Sequence, residues 1–308
     1  MSRESICAIV VTYNRKELLL NCLHALLEQS FSLSHIVIVN NASTDGTIDF
    51  LAKNGFINNS QFTLLNLPEN QGGAGGFYEG IKFAHDNKFD YVWLMDDDGY
   101  PDKDCLKNLI PYLSTECYIG PILLDPKTQD KLSFALRIPN SLEIIDNYSN
   151  LSTDIKEKNI IEQAIIPFNG TLISMELIKK MGFPIKDYFI WGDEREYTLR
   201  AKKYQAKILT VVNSIFYHPL SSSISEPMFF GKLRFNNANS LLKQYCFCRN
   251  SFAIFLRYKG FFYAFAFASK AIWFYAFTKP CLKKLKLTLR ALWHALRKDF
   301  NHHKEYLK

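Results

Sequence analysis

Tyr91-Val92-Trp93-Leu94-Met95-Asp96-Asp97-Asp98-Gly99-Tyr100-Pro101 decides how the rest of this 308-residue chain is read. Five apolar and aromatic residues run straight into three carboxylates, then Gly and Pro. The run suits a strand covered on both faces, and Gly99 and Pro101 stop it. A buried strand thus delivers three acids to the edge of a sheet. Adjacent carboxylates repel one another and are tolerated where water or a cation neutralises them. Oxygen ligands on a short turn suit a hard divalent ion such as Mg2+ or Mn2+, which takes one or two protein carboxylates and completes its shell with phosphate oxygens. An acidic surface turn is the plain alternative for the same string.

Upstream, residues 6–11 read as a buried strand, Thr12-Tyr13-Asn14-Arg15 as a polar turn, and residues 16–29 as a helix with Leu19, Leu23, Leu26 and Leu27 at helical spacing. Residues 35–39 and 62–66 are further strands. The run from Pro68 through Gly72-Gly73-Ala74-Gly75-Gly76 is expected as a loop, followed by a helix from about Phe77 to Asn87. Strands alternating with helices imply an α/β architecture with a mostly parallel sheet, whose ligands bind beyond the carboxyl ends of the strands. Downstream, residues 134–138 read as a strand, and 140–163 as a variable loop with a short helix. A helix is expected from about Asp193 to Tyr204 and a strand over 206–212, followed by Phe216-Tyr217-His218-Pro219. There are no internal repeats.

Hydrophobic residues make up 48% and charged residues 22%, so the chain folds rather than staying disordered. The net charge of +7 hides an asymmetry: residues 227–308 hold 16 Lys+Arg against 2 Asp+Glu, leaving 21 basic and 28 acidic residues elsewhere. Two regions follow: a body over 1–226, and a basic, aromatic region over 227–308 that meets a negative surface. The seven Cys include no CxxC, which fits reduced thiols. The apolar run after the polar residues 2–5 is too short for a secretory signal.

Each remaining motif has two readings. Asn41-Ala42-Ser43-Thr44-Asp45-Gly46-Thr47 is turn chemistry, either a helix cap or a set of hydrogen-bonding groups for a base or ribose. The glycines of residues 72–76 let backbone approach a ligand, and the following helix can attract phosphate, although the Lys of a P-loop is missing. Asp193-Glu194 with Glu196 suits a helix N-terminus, or supplies a general base to an acceptor hydroxyl. His218 is a structural histidine or, beside the acidic turn, a metal ligand.

The ordered set resembles the family-two inverting glycosyltransferases of GT-A fold. The resemblance runs from Ile9-Val10-Val11-Thr12-Tyr13-Asn14-Arg15 through Asn41 to Thr47, Asn70 to Phe77, Asp96-Asp97-Asp98 and Trp191-Gly192-Asp193-Glu194-Arg195-Glu196-Tyr197 to His218, about two-thirds of the chain. Asn70-Gln71-Gly72-Gly73-Ala74-Gly75-Gly76-Phe77, the acid triplet and the Trp-Gly-Asp-Glu box look most like the bacterial galactofuranosyltransferase branch; rhamnosyltransferases share much of the pattern. The resemblance implies that Thr12, Asn14, Arg15 and Asn41 hold the uracil and ribose, and that Asp96 and Asp97 approach the nucleotide. It also implies that Asp98, with Asp96 and His218, binds Mn2+ or Mg2+, and that Gly73 and Trp191 line the donor and acceptor. The base falls on Glu194, with Asp193 as the alternative. Asn40 stands where the family often has Asp. The implied donor is UDP-galactofuranose, with dTDP-rhamnose as the alternative, and the acceptor a polyprenyl-diphosphate-linked surface polysaccharide such as O-antigen. An inactive sugar-nucleotide-binding or scaffold protein is the reading from another class, which detectable donor hydrolysis would exclude.

In the tail, Tyr245-Cys246-Phe247-Cys248-Arg249-Asn250 resembles a Tyr-x-x-x-Arg-Asn pattern that follows the catalytic domain in related transferases. Residues 261–278 are aromatic, with Lys270 near the centre, which favours interfacial helices over a spanning one. Leu282, Leu285, Leu289, Leu292, Leu296 and Phe300 recur at helical spacing among lysines and arginines, the pattern of a basic amphipathic helix on anionic lipid. The expected location is peripheral, on the cytoplasmic face of the inner membrane. Packing on the body or a homo-oligomer is the alternative use of the tail, and its apolar mass argues against nucleic acid.

Overall fold

The computed structural model describes residues 4–139, 141, 143–164, 167–220 and 225–307. Asn140 and Leu142 of the expected variable loop therefore lie outside the described residues. The chain forms two units, Met1–Pro184 with Tyr197–Ser221, and Ile185–Glu196 with Ser222–Lys308.

The first unit runs β1 (Ile6–Thr12), α1 (Lys16–Leu27), β2 (His35–Asn40), α2 (Thr47–Lys53), β3 (Phe62–Asn66), α3 (Gly72–Asp86), β4 (Tyr91–Asp96), β5 (Tyr100–Pro101) and α4 (Cys105–Leu109). It continues with β6 (Cys117–Leu124), β7 (Lys131–Arg137), β8 (Ile144–Asn147), α5 (Thr153–Lys158), β9 (Ile160–Glu162), β10 (Thr171–Ser174) and α6 (Met175–Met181), takes in α7 (Asp193–Lys203) from Tyr197 onward, and ends on β11 (Lys207–Tyr217). The main strand order is β3-β2-β1-β4-β10-β6-β11-β5. β3, β2, β1 and β4 are parallel, as are β6 and β11, while β10 runs antiparallel to both its neighbours. All seven residues of β1 are buried, as a strand covered on both faces requires. Its register sets Thr12 opposite Asn40, and Val11 opposite Asp96, so three polar segments meet at one edge. The expected variable loop of residues 140–163 holds two short strands, β8 and β9, besides α5.

The glycine run is a correction to the sequence reading. It is not a loop, because α3 already begins at Gly72. The cause is packing on β1. A Cβ on Gly76 would stand 2.5 Å from Val11 Cγ1, and one on Gly80 2.4 Å from Ile9 Cγ2. Glycine lets this helix lie close on the sheet, an advantage that outweighs its poor helix propensity. β11 is also longer than expected. It reaches Tyr217, where it pairs with the two-residue β5, and the His218 N–H then bonds the Leu124 carbonyl at 3.0 Å. Gly99 makes the pairing feasible, since a Cβ there would be 2.4 Å from the Phe216 ring.

The second unit holds β12 (Ser225–Met228), β13 (Leu233–Asn236), α8 (Leu241–Tyr258), α9 (Phe261–Trp273) and α10 (Leu282–Leu296), with residues 185–196 packed in the same unit. Its core joins Phe189, Tyr245, Phe274, Tyr275, Leu287 and Ala291. The apolar stretch 261–278 is broken, α9 giving way to a π turn over Phe274–Thr278. Among the described residues, no helix is long and apolar enough to cross a membrane. The leucine row of α10 is split. Leu285 and Leu292 pack inward, whereas Leu282, Leu289 and Leu296 are exposed. The inward stripe is instead completed by the small residues Thr288, Ala291 and Ala295, which let α10 pack closely.

Candidate active site

The acid triplet follows β4 at the carboxyl edge of the sheet, as its sequence demands, but its three members have different surroundings. Asp97 is 3% exposed and turned into the protein. Thr12 donates its hydroxyl to Asp97 Oδ2 at 2.7 Å, and the Tyr13 N–H approaches the same oxygen at 3.4 Å. Arg15 Nη1 lies 3.2 Å from Asp97 Oδ1 and 2.6 Å from Asp98 Oδ2. The chain therefore supplies its own cation against the repulsion of the triplet. Burial pushes the Asp97 carboxyl up to about 6, against the lowering pull of Thr12 and Arg15. Asp98 goes the other way: burial would raise it, but His218 and Arg15 together hold it below the usual carboxylate value.

Asp98 and His218, 120 positions apart in sequence, meet because β5 pairs with the end of β11. His218 Nε2 is 3.3 Å from Asp98 Oδ1, an oxygen that is buried and has no hydrogen-bond partner. The other ring nitrogen, Nδ1, sits 2.6 Å from the Pro219 carbonyl. If Nδ1 carries the proton and donates there, Nε2 presents a lone pair to a carboxylate oxygen. Two acceptors at that distance repel unless a proton or a cation joins them. A histidine fixed through one nitrogen with the other turned to a carboxylate oxygen is a donor set suited to a divalent ion. Asp96 does not complete a cage with them: among the described residues no group of three His, Cys, Asp or Glu side chains could enclose an ion. An ion that also binds diphosphate needs only one or two protein ligands.

Asn14, Asn41 and Thr12 are spent largely on shaping this edge. Asn14, at φ 56°, accepts the Thr44 N–H at 2.7 Å and donates its own N–H to Ser43 Oγ at 2.9 Å. Asn41 is 2% exposed, donates to the Gly72 carbonyl at 2.9 Å and accepts the Gln71 N–H at 2.8 Å. It fixes the start of α3 to the turn after β2. Asn40, where an acid was the commoner expectation, bonds Asn66 at 2.7 Å and accepts the Ser43 N–H. Gly73 lies in the first turn of α3, with nothing within 4 Å of where a Cβ would be.

The second acid cluster belongs to the other unit. Asp193 and Glu194 open α7, Asp193 being 6% exposed and Glu194 half-buried. Burial raises both carboxyls above their usual range. The charge of Asp193 adds to the rise at Glu194, and Glu196 adds to that at Asp193. Trp191 precedes them at φ 61°, its ring edge-on to Phe247 at 6.1 Å, with Lys243 Nζ 5.9 Å from its centre.

A strand-borne acid triplet, an arginine against it and a histidine at the same sheet edge suit a sugar-nucleotide transferase. The family model for glycosyl transferase family 2 matches residues 7–168, more than half of the chain. The chain belongs to glycosyl transferase family 2. This transferase is 28% identical over 252 residues to the galactofuranosyltransferase GlfT1 of Mycolicibacterium smegmatis, covering 80% of its own length and 82% of that relative. Its fold, a mixed and mostly parallel sheet between helices, is of the GT-A kind. S. aureus TarS superposes over 98% of the chain with a TM-score of 0.58 at 16% identity. GalNAc-T7, in a structure with UDP, GalNAc and Mn2+, does so over 99% with a TM-score of 0.61 at 12% identity. The transferase spans 50% of the former and 58% of the latter.

One residue of the transferase escaped the sequence reading. Asn169 is 2% exposed, and its Oδ1 is buried without a hydrogen-bond partner. It directly precedes Gly170, whose N–H bonds the Leu94 carbonyl two residues before the acids. The signal available was a lone amide inside Pro167-Phe168-Asn169-Gly170, between two apolar runs.

Proposed function

We propose that this glycosyltransferase is metal-dependent and inverting, and transfers galactofuranose from UDP-galactofuranose to a lipid-linked surface polysaccharide. The observation that carries the metal is Oδ1 of Asp98, buried and 3.3 Å from Nε2 of His218. These two residues would hold Mn2+ or Mg2+, which would supply positive charge to the leaving diphosphate. Arg15, already paired with Asp98, adds a fixed positive charge beside it. Thr12, Asn14 and Asn41 keep the nucleotide end in shape through main-chain and side-chain bonds. The open space at Gly73 leaves room for ligand against the main chain. Glu194, with Asp193 as its neighbour, takes the proton of the acceptor hydroxyl. Its raised carboxyl suits a base working near neutral pH. Attack opposite the leaving group inverts the anomeric centre without a covalent intermediate. The furanose donor rests on the likeness to GlfT1.

The second unit holds this enzyme peripherally on the cytoplasmic face of an anionic membrane. Phe262, Phe265, Trp273 and Phe277 form one exposed stripe, at 87%, 59%, 43% and 66% exposure. Bare aromatic stripes flanked by lysines suit an interface of hydrocarbon and anionic headgroups.

Calorimetry of UDP with Mn2+ tests the metal. Asp98→Ala should lose the Mn2+-dependent part of UDP affinity and keep its fold; metal-dependent affinity at the wild-type level would refute the assignment. Turnover with UDP-galactofuranose, UDP-galactopyranose and dTDP-rhamnose tests the donor, and turnover with the rhamnose donor alone would overturn the furanose reading.

A further inference from the structure

The segment that leads into Asp193 and Glu194 is held in an unusual backbone shape. Phe189 sits at φ 65°, ψ −70°, and Trp191 at φ 61°, with Gly192 at φ 104°. Two non-glycine residues at positive φ within three positions do not persist unless their surroundings enforce them. The enforcement comes from adjacent residues of α8. Arg249 and Asn250 are both 0% exposed. Arg249 Nη2 donates to the carbonyls of Asp187 and Tyr188, each at 3.0 Å, Nη1 donates to Phe300 at 2.7 Å, and Nε donates to Asn250 Oδ1 at 2.9 Å. Asn250 Nδ2 lies 2.9, 3.1 and 2.7 Å from the carbonyls of Tyr188, Ile190 and Trp191.

A fully buried arginine that donates to backbone carbonyls and its own neighbouring amide is costly unless its partners are fixed. Here its face also lies 5.3 Å from the Tyr245 ring and 5.0 Å from that of Phe300. Tyr245 in turn meets His294 Nδ1 of α10 at 2.6 Å, which ties α8 to the next layer. The same helix grips the far side of the acids. Glu196, also 0% exposed, receives the Tyr258 hydroxyl at 2.5 Å and stands 3.4 Å from Arg257. Gly192 is required between the two grips, since a Cβ there would press on Asn250 and Ile254 at 3.2 Å. Asp193 and Glu194 thus lie between two anchor points on one helix.

We propose that Arg249 and Asn250 are positioning residues for the transfer reaction: they hold the strained turn at 187–192 by its carbonyls and thereby fix the orientation of Asp193 and Glu194. The inference rests on the reading of those acids as the base. It also explains the Tyr245…Arg249-Asn250 string, in which the tyrosine anchors the helix while the arginine and asparagine hold the turn.

Asn250→Asp is the sharpest perturbation, because it keeps the size and replaces the donor with an oxygen facing three carbonyls. Arg249→Lys keeps the charge and loses the fork. Cys248→Ala is the control, since Cys248 lies next to them on α8 but approaches Gln244 and Thr288. Transfer from UDP-galactofuranose, affinity for UDP with Mn2+, and hydrogen exchange over residues 187–196 are measured on each full-length protein, beside Glu194→Gln and Asp193→Asn. Misplacement of a catalytic group by about 1 Å costs on the order of 10²-fold. Asn250→Asp is therefore expected to lose about that much kcat, with UDP–Mn2+ affinity within about twofold and faster exchange at 187–196. Arg249→Lys should show a smaller loss of the same kind, and Cys248→Ala should keep kcat even where its thermal midpoint falls. The positioning role is overturned if Asn250→Asp keeps kcat within about threefold while Glu194→Gln or Asp193→Asn abolishes transfer. It is also overturned if Cys248→Ala loses as much kcat, or if UDP affinity falls in parallel, because a purely structural role would give those patterns. Full transfer by both acid variants would instead refute the base reading and, with it, this inference; altered exchange in Asn250→Asp would then report the clamp alone.

Discussion

Thr12→Val removes one hydroxyl from the acid edge with almost no change of shape, and the structure sets what should follow. The lost bond is the 2.7 Å donation to Asp97, a carboxyl 3% exposed and already raised to about 6 by burial. Hydrogen bonds to charged groups contribute roughly 1.5–3 kcal/mol, and a neutral one about 1. The sign then depends on pH. A carboxyl whose folded pKa exceeds its unfolded value binds more protons in the folded state, so folding loses stability as pH rises through that interval. Without Thr12 the ionised form loses a donor, the folded pKa rises further, and each added unit costs about 1.4 kcal/mol once the pH exceeds it. The valine variant should thus be about 2–3 kcal/mol less stable than wild type at pH 8. The gap should narrow to about 1 kcal/mol at pH 4.5, where the carboxyl is protonated in both proteins. Urea unfolding of the two proteins across that range measures the gap directly. A loss independent of pH, or larger in acid, would refute the claim that Asp97 is a buried carboxylate held ionised by Thr12 and Arg15.

Four further outcomes follow from other parts of the molecule. With Glu194 or Asp193 as the proposed base, their raised carboxyls predict that transfer rises with pH through the neutral range, because a base must first lose its proton; a kcat profile flat from pH 5 to 8 contradicts that proposal. Glu194→Gln should lose about 10²–10⁴-fold in transfer while keeping UDP binding, and a dead Asp193→Asn beside a nearly active Glu194→Gln would move the base by one residue. Gly80→Ala places a methyl 2.4 Å from Ile9 Cγ2 and should cost about 1–3 kcal/mol in chemical denaturation, despite alanine's better helix propensity. Replacing the exposed Phe262 and Trp273 with serine should weaken binding to anionic vesicles at high salt more than at low salt, since the electrostatic part is then screened; unchanged vesicle binding would remove the aromatic stripe from the membrane face.

The amino-acid sequence alone determined the alternation of strands and helices, the acid triplet at a strand end, and the family, because each is local: a buried run with a polar stop, a helical spacing, an ordered string of motifs. β3 was expected over the residues it occupies, and β1, α1 and β2 to within a residue or two. Tertiary structure decided whatever depended on partners distant in sequence. The run at residues 72–76 looked like a loop because glycine resists helix; its place inside α3 follows from Val11 and Ile9 pressing against Gly76 and Gly80. Nothing local distinguishes three adjacent aspartates, yet Thr12 and Arg15 turn Asp97 into the protein while β5 and β11 bring Asp98 to His218. The Arg249-Asn250 pair likewise reads as two polar residues in an apolar helix. Only the fold shows that they bond the carbonyls ahead of Asp193, because a backbone acceptor carries no mark in the sequence of which distant side chain will reach it.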